Sequence, residues 1–225
     1  MKPCIIAIDG PAGAGKSTVA REVAEKLGYL YLDTGAMYRV IALEAIRQNV
    51  SLEDERLTQL AAKTVIDFRL GLKGERLVFS NNVNVTEAIR SPEVTKLVSR
   101  IAAVPGVRSE LVAQQRQIGN RKAVVLDGRD IGTVVFPDAE VKIFLTASVE
   151  ERARRRWLEL TQKGSPAVLT EIAADISARD QADMTRATSP LVQAKDAYFL
   201  DSSKLSPEEV VNAIIAYCEE RNHAI

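Results

Sequence analysis

Gly10-Pro11-Ala12-Gly13-Ala14-Gly15-Lys16-Ser17 is the densest run of chemistry-bearing residues in the chain, and it fits G-x-x-x-x-G-K-[ST] at every fixed position. Glycines at this spacing let the backbone turn tightly around phosphate oxygens, so that successive N–H groups point inward. A helix beginning near Gly15 adds its positive N-terminal end. Lys16 has the reach to serve the β- and γ-phosphates of a bound ATP as a catalytic cation, and the Ser17 hydroxyl is a ligand for Mg²⁺. A glycine-rich loop without function is the bland alternative. The context argues against it, because an apolar run, Cys4 to Asp9, precedes the loop and an amphipathic stretch, Ser17 to Leu27, follows it.

A phosphoryl transferase that brings two polyanions together needs fixed positive charge on both, and arginine supplies it in a planar, permanently ionised fork. Arg39 follows Asp33-Thr34-Gly35-Ala36-Met37-Tyr38, and Arg129 sits in Asp127-Gly128-Arg129-Asp130; each stands just past an apolar run. A solvated surface role competes evenly with an anion-binding role at these two positions. Glu151-Arg152-Ala153-Arg154-Arg155-Arg156 is denser. Arg152 and Arg156 are expected on one helix face with Arg155 at its edge, as a mobile lid over the ATP phosphates. A solvated basic face, with Arg155 paired to Glu159, is the competing reading. Arg179-Asp180-x-x-Asp183-x-x-Arg186 places Arg179, Asp183 and Arg186 at helical spacing, a pattern that alone describes a salt-bridged helix.

Other uses of a phosphate loop fit less well. No Asn-Lys-x-Asp element is present to read guanine, and Gln193-Ala194-Lys195-Asp196 has similar letters in the wrong register. Asp127 stands where a Walker-B aspartate would, but Gly128 follows it in place of a second acid. The one histidine, His223, belongs to no Ser-His-Asp or Cys-His constellation.

The elements that position these residues are legible as short apolar runs, each suited to a strand buried in a parallel sheet: Cys4 to Asp9, Tyr29 to Asp33, Ala123 to Asp127, Val141 to Leu145 and Ala197 to Asp201. Most end in aspartate, and open α/β sheets bind ligands at strand C-termini. Helical periodicity covers Ser17 to Leu27, stopped by Gly28, and also Ala36 to Gln48, Val149 to Leu160 and Pro207 to Arg221. Residues 66–102 break the rhythm. There Asp67 to Leu72 and Glu75 to Phe79 alternate about a Lys73-Gly74 turn as an antiparallel hairpin, and Asn84-Val85-Thr86 suggests a third strand. The expected fold is α/β: a P-loop-type five-stranded parallel sheet flanked by helices, with a small β-plus-helix insertion and a helical lid. One domain is expected overall, with residues 1–65 and 103–225 as core, a lid near 152–168, and 66–102 as the insertion.

Composition agrees with this. Of 225 residues, 46% are hydrophobic and 27% charged, enough for a sizeable core under an ordinary soluble surface. Thirty basic side chains balance thirty acidic ones, which argues against a nucleic-acid backbone as main partner but leaves room for an anionic small molecule. Cys4 and Cys218 lack metal-ligand spacing and read as reduced, apolar residues. No run approaches the length of a membrane helix, and the cytoplasm is the expected compartment.

Taken together, Gly10 to Thr18, Asp33-Thr34-Gly35-Ala36-Met37-Tyr38-Arg39, Ile89-Arg90-Ser91-Pro92-Glu93-Val94 and Asp127-Gly128-Arg129-Asp130-Ile131-Gly132-Thr133-Val134-Val135-Phe136-Pro137 resemble the bacterial cytidylate kinase family over nearly the whole chain. The last of these motifs and the insertion separate that family from adenylate kinases, which share the phosphate loop. The resemblance implies ATP and CMP or dCMP as substrates, CDP or dCDP as product, Mg²⁺ as cofactor, a monomer, and no nucleic-acid or membrane partner. It implies ATP contacts from Gly10 through Thr18, with Arg152, Arg155 and Arg156 from the lid. The acceptor phosphate falls to Arg39, Arg129 and Arg186, the last two with Lys16 forming the catalytic set. Cytosine falls to Ser99, Arg108 and Asp130, and the ribose side to Arg179 and Asp183. Thr34 stands where some members have serine and keeps the hydroxyl. The insertion becomes the monophosphate-binding segment. Other small-molecule kinases, acting on UMP, AMP or shikimate, are the alternative.

Overall fold

The computed structural model describes residues 3–72, 75–120, 123–162 and 164–223, with side chains through residue 221. The chain forms two compact units, Met1–Tyr31 with Arg121–Ile225, and Leu32–Asn120.

The expected five-stranded parallel sheet is present, in the order β2-β6-β1-β7-β8. Its strands are β1 (Ile5–Asp9), β2 (Leu30–Asp33), β6 (Val124–Gly128), β7 (Val141–Thr146) and β8 (Tyr198–Asp201). β1 is central and buried along its whole length, as its run of Ile and Ala demands. Its register sets Asp9 beside Gly128 of β6 and Phe144 of β7, so the polar strand ends lie level. In α1 (Lys16–Leu27), Val19, Ala20, Val23 and Ala24 form the buried stripe; with α8 (Pro207–His223), which contributes Val210, Val211, Ile214 and Cys218, they close the core over Ile6, Ile8 and Ile143. Both cysteines are buried and unbridged. Between the strands lie α6 (Val149–Gln162) and α7 (Leu169–Thr185), which pack on each other.

The second unit contains α2 (Thr34–Arg47), α3 (Asp54–Lys63), α4 (Pro92–Ala103) and α5 (Pro105–Gly119) with a small antiparallel sheet, β3 (Ile66–Leu70), β4 (Arg76–Ser80) and β5 (Val83–Asn84). The hairpin register runs from Ile66 opposite Ser80 to Leu70 opposite Arg76; its Lys73-Gly74 turn lies outside the described residues, as does the side chain of His223. The third strand falls at Val83–Asn84, ahead of the expected Asn84-Val85-Thr86, because Val85 turns inward and its N–H bonds back to Val78 O at 2.9 Å. Helices α3, α5 and α7 lie outside the helical stretches expected above, although α3 buries Leu57, Leu60 and Ala61 at an apolar period. In α7 the buried positions at helical spacing are Ile176, Asp180 and Asp183, so acids carry the pattern that apolar residues normally carry.

Candidate active site

Gly10 opens the phosphate loop at a position that no other residue can occupy. Its φ is +151°, and a Cβ there would meet the Leu145 carbonyl oxygen at 1.9 Å. The loop then delivers Lys16 into the first turn of α1, where it is buried and donates from Nζ to the Pro11 carbonyl at 2.8 Å. Burial lowers its pKa from the ordinary 10.5 to about 7; the Arg129 guanidinium, and more weakly Arg179, push the same way, while Asp127 and Asp9 oppose them. An ammonium in this setting is poised for an anion.

Ser17 Oγ donates to Asp127 Oδ2 at 2.8 Å, and Tyr31 Oη donates to the other oxygen, Oδ1, at 2.8 Å. Asp127 is therefore fixed in orientation and accepts the serine's hydrogen bond, so the hydroxyl oxygen keeps lone pairs with which to bind a cation. A hydroxyl and a carboxylate are hard oxygen donors of the kind Mg²⁺ takes when substrate phosphates complete its shell.

Past β6 the first unit gathers a second set of charges. Arg129 donates from Nε to Asp183 Oδ2 at 2.8 Å and from Nη1 to the Gly128 carbonyl at 3.2 Å. Arg186 lies 3.8 Å from Asp130 and 4.0 Å from Asp183, looser contacts than Arg129 makes. The expectation that Arg179, Asp183 and Arg186 share one helical face is corrected. Arg179 and Asp183 lie on α7, but the helix ends at Thr185, and Arg186 is extended, with its Nε donating to the Ser189 carbonyl. That exit carries Arg186 toward Asp130. Directly after Asp130, a widened helical turn at Ile131–Val135 leads into the loop; Val135 N–H bonds to Asp130 O at 3.1 Å and Phe136 N–H to Ile131 O at 2.7 Å. Asp9 accepts from Ile131 N–H at 2.8 Å and Gly132 N–H at 2.7 Å. Burial pushes its carboxyl up to about 6 despite those two donors, with Asp130 adding to the rise and Lys16 opposing it.

The arginine run on α6 divides. Arg152 is buried, not poised over a ligand: Nη1 donates to Ala12 O and Nε to Ala147 O, both at 2.9 Å, and it pairs with Asp180 at 2.7 Å. It braces the phosphate loop from below. Arg155 pairs with Glu151, not Glu159, and donates to Ser202 O at 2.6 Å. Arg156 points to solvent and takes Glu159 at 2.6 Å. Arg152 and Arg156 share a helix face by spacing, but only the first is buried, because Arg152 lies in the first turn of α6 against the phosphate loop while Arg156, one turn on, reaches solvent.

In the second unit Thr34 is buried as the first residue of α2, behind Asp33, whose Oδ1 caps Ala36 N–H at 2.9 Å. Arg39 donates to Ile89 O at 3.2 Å and to Thr95 Oγ1 at 2.9 Å. Arg108, on α5, donates to Ala102 O at 3.1 Å, and its guanidinium lies 5.3 Å from the Tyr38 ring centroid. Ser99 sits half-buried on α4, one turn before the Ala102 carbonyl that holds Arg108. Asp9, Tyr31 and Tyr38 are not singled out from the sequence, and Asp127 is weighed there only as a Walker-B position. Asp9 and Asp127 carried a signal, as terminal aspartates of predicted strands, whereas the tyrosines carried none.

A family model described as cytidylate kinase matches residues 6–220. Among curated relatives, a cytidylate kinase of Desulfitobacterium hafniense is 54% identical over 96% of this chain and 93% of its own length. One from Solibacter usitatus is 50% identical over 98% and 94%, respectively. A solved structure of an uncharacterized protein from Eubacterium ventriosum shares the fold at a TM-score of 0.55 and 14% identity, covering 97% of this chain and 99% of that one.

Proposed function

The chain belongs to the cytidylate kinase family and transfers the γ-phosphoryl group of ATP to CMP or dCMP, and from that premise we propose how its residues divide the work. Phosphoryl transfer asks for alignment and charge neutralisation more than for a covalent nucleophile. The loop from Gly10 to Thr18 holds the triphosphate through its amides, and Lys16 follows the charge that moves onto the bridging oxygen. Ser17 and Asp127 would hold Mg²⁺. When bound, that ion neutralises phosphate charge and fixes the geometry of the polyphosphate. Arg152 braces the loop in place of closing over it, and Arg155 and Arg156 remain the candidates for movement with the 152–168 segment.

On the acceptor side we assign Arg129 and Arg186 to the monophosphate, Asp130 to the cytosine, and Arg179 with Asp183 to the sugar. In the second unit, whose 66–102 segment we take as the monophosphate-binding insertion, Arg39 is assigned to phosphate and Ser99 with Arg108 to the cytosine edge. A purine, or a base lacking the matching donor and acceptor pattern, would leave buried polar groups unpaired. The observation that carries the acceptor reading is the cluster Arg129–Asp183–Arg186–Asp130, a knot of buried charge beside Lys16 that structure alone does not require. We also assign the protein to a reducing compartment such as the cytoplasm, as a monomer whose partners are nucleotides and not nucleic acid. Among the described residues no helix is long and apolar enough to cross a membrane.

The test is acceptor-dependent ADP release with CMP, dCMP, UMP and AMP side by side, with and without chelator. CMP and dCMP should dominate and turnover should vanish without the divalent ion. Equal rates on AMP would sink the cytosine assignments, and turnover in chelator would sink the assignment of Ser17 and Asp127.

A further inference from the structure

We propose that Asp9 is a positioning residue that couples the phosphate loop to the acceptor loop, setting where Arg129 and Asp130 stand when the pyrimidine monophosphate binds. The inference rests on the acceptor reading just given. Asp9 is the last residue of β1 and the immediate neighbour of Gly10. Its two carboxylate oxygens take one backbone amide each, Ile131 at 2.8 Å and Gly132 at 2.7 Å. Those amides directly follow Arg129 and Asp130 in the chain. The ladder between β1 and β6 reaches only to Asp9 opposite Gly128, so the backbone that carries Arg129 and Asp130 lies beyond the last strand pairing. The aspartate side chain takes over where the ladder stops.

The opposite side of the loop is equally confined. A Cβ at Gly132 would lie 3.2 Å from Lys142 Cδ and 3.4 Å from Asp9 Oδ2. Lys142 is itself held, by the Pro137 carbonyl and by Asp196 at 2.8 and 3.0 Å. The loop backbone is gripped between two anchored side chains, and a methyl at position 132 would fit only if Lys142 or Asp9 shifted by a few tenths of an ångström. Retaining an ionisable carboxyl here is unfavourable, since Asp9 is buried and Asp130 adds like charge. Two charge-assisted amide contacts are what the position gains in return.

The phosphate loop's other supports do not depend on this clamp: Lys16 is tied to Pro11 O, and Arg152 to Ala12 O. Loosening Asp9 should therefore move the acceptor groups and spare the triphosphate site. Asp9→Asn keeps the shape but offers only one acceptor oxygen, leaving an NH₂ against one amide. Gly132→Ala crowds the same contact, its methyl meeting both Lys142 and Asp9 Oδ2, and leaves the residues of the phosphate loop untouched.

Calorimetric binding of CMP and of ATP, each alone, to both variants reads the split. CMP should bind about tenfold more weakly to Asp9→Asn, in line with the cost of misplacing aligned groups by a fraction of an ångström. ATP should bind as to the wild type, which also reports that the variant is folded. Gly132→Ala should show the same split at smaller size, and in turnover the KM for CMP should rise more than that for ATP. If Asp9→Asn weakens both nucleotides alike, or neither, the coupling role is overturned. Arg129→Ala measured in parallel separates the premise from the proposal. Unchanged CMP binding in that variant defeats the acceptor reading, whereas lost CMP binding there, with full CMP binding in Asp9→Asn and Gly132→Ala, keeps the acceptor reading and defeats the coupling.

Discussion

The arginines of the first unit and those of the second are held by different chemistry. In the first, Arg129 donates to Asp183, Arg186 lies near Asp130 and Asp183, and Arg152 pairs with Asp180. In the second, Arg39 is steered by a carbonyl and a threonine hydroxyl, and Arg108 by a carbonyl and the face of Tyr38. A carboxylate partner orients a guanidinium and offsets part of its charge, whereas a neutral dipole or an aromatic ring orients it through weaker, uncharged contacts. The first arrangement suits groups that must stay rigid beside other buried cations such as Lys16. The second suits groups that read a ligand's edge or phosphate.

Breaking the first unit should therefore cost the most. Lys16→Met should lower kcat by about 10³-fold or more while CMP still binds, since a charge aimed at the transition state is lost; near-normal turnover would remove Lys16 from the chemistry. The same variant tests its protonation. Unfolded, the lysine titrates at its ordinary 10.5, and folded at about 7, so stability from this group falls as pH drops from the first value toward the second and then levels off. A bound polyphosphate reverses the shift. ATP binding at pH 8 should take up a proton, seen as calorimetric heats that vary with buffer ionisation enthalpy, and Lys16→Met should lose that dependence.

Arg129→Ala should lower kcat/KM for CMP by about 10²-fold, because it removes a phosphate contact and also strands Asp183 as a buried charge without its donor. Asp183→Asn in the same background should recover part of the loss if the stranded charge contributes; no recovery would mean that Arg129 acts through the ligand alone. In the second unit the effect should be smaller and different in kind. Arg108→Met should weaken CMP by about tenfold and narrow the preference for CMP over UMP, leaving kcat largely intact. Retained rejection of UMP would take Arg108 out of base selection and blur the contrast between the units.

The smallest effect should come from Arg154, exposed on α6 and paired, among the described residues, only with Glu151. That pairing, followed by Arg155, holds the Glu151 carboxyl at about 2, yet solvent screens a pair at the surface. Arg154→Ala should leave both the melting temperature and turnover at wild-type values, in contrast to Arg152→Ala, which would leave Asp180 buried without its partner and should unfold at a clearly lower temperature.

Much of the architecture was legible in the residues. Continuous apolar runs identified all the strands of the parallel sheet to within a residue or so at each end; in β1, β6 and β7 this is because a strand covered on both faces has no polar positions to disguise it, while the edge strand β8 keeps its apolar run although most of it is exposed. The phosphate loop was readable for a similar reason: its work is done by the backbone, so a contiguous stretch of glycines with Lys16 and Ser17 contains nearly the whole device. In helix α7 the charge spacing marked a helix near Arg179 and Asp183, but not its extent or its inward face, since Ile176, Asp180 and Asp183 are what it buries and acids at that spacing look like an exposed surface.

The site's wiring was decided only by the tertiary structure. Asp127 meets Ser17 across 110 positions of chain, Arg152 meets Ala12 across 140, and Asp9 meets Gly132 across 123. Local spacing reports which side chains share a helix face or a strand face, but says nothing about partners that a sheet's strand order brings side by side. The residue types determined that this chain would carry a phosphate loop and many arginines; the fold decided which arginines brace the loop and which pair with acids, because burial and the nearest carboxylate, not the residue type, set how much of a guanidinium's charge is offset.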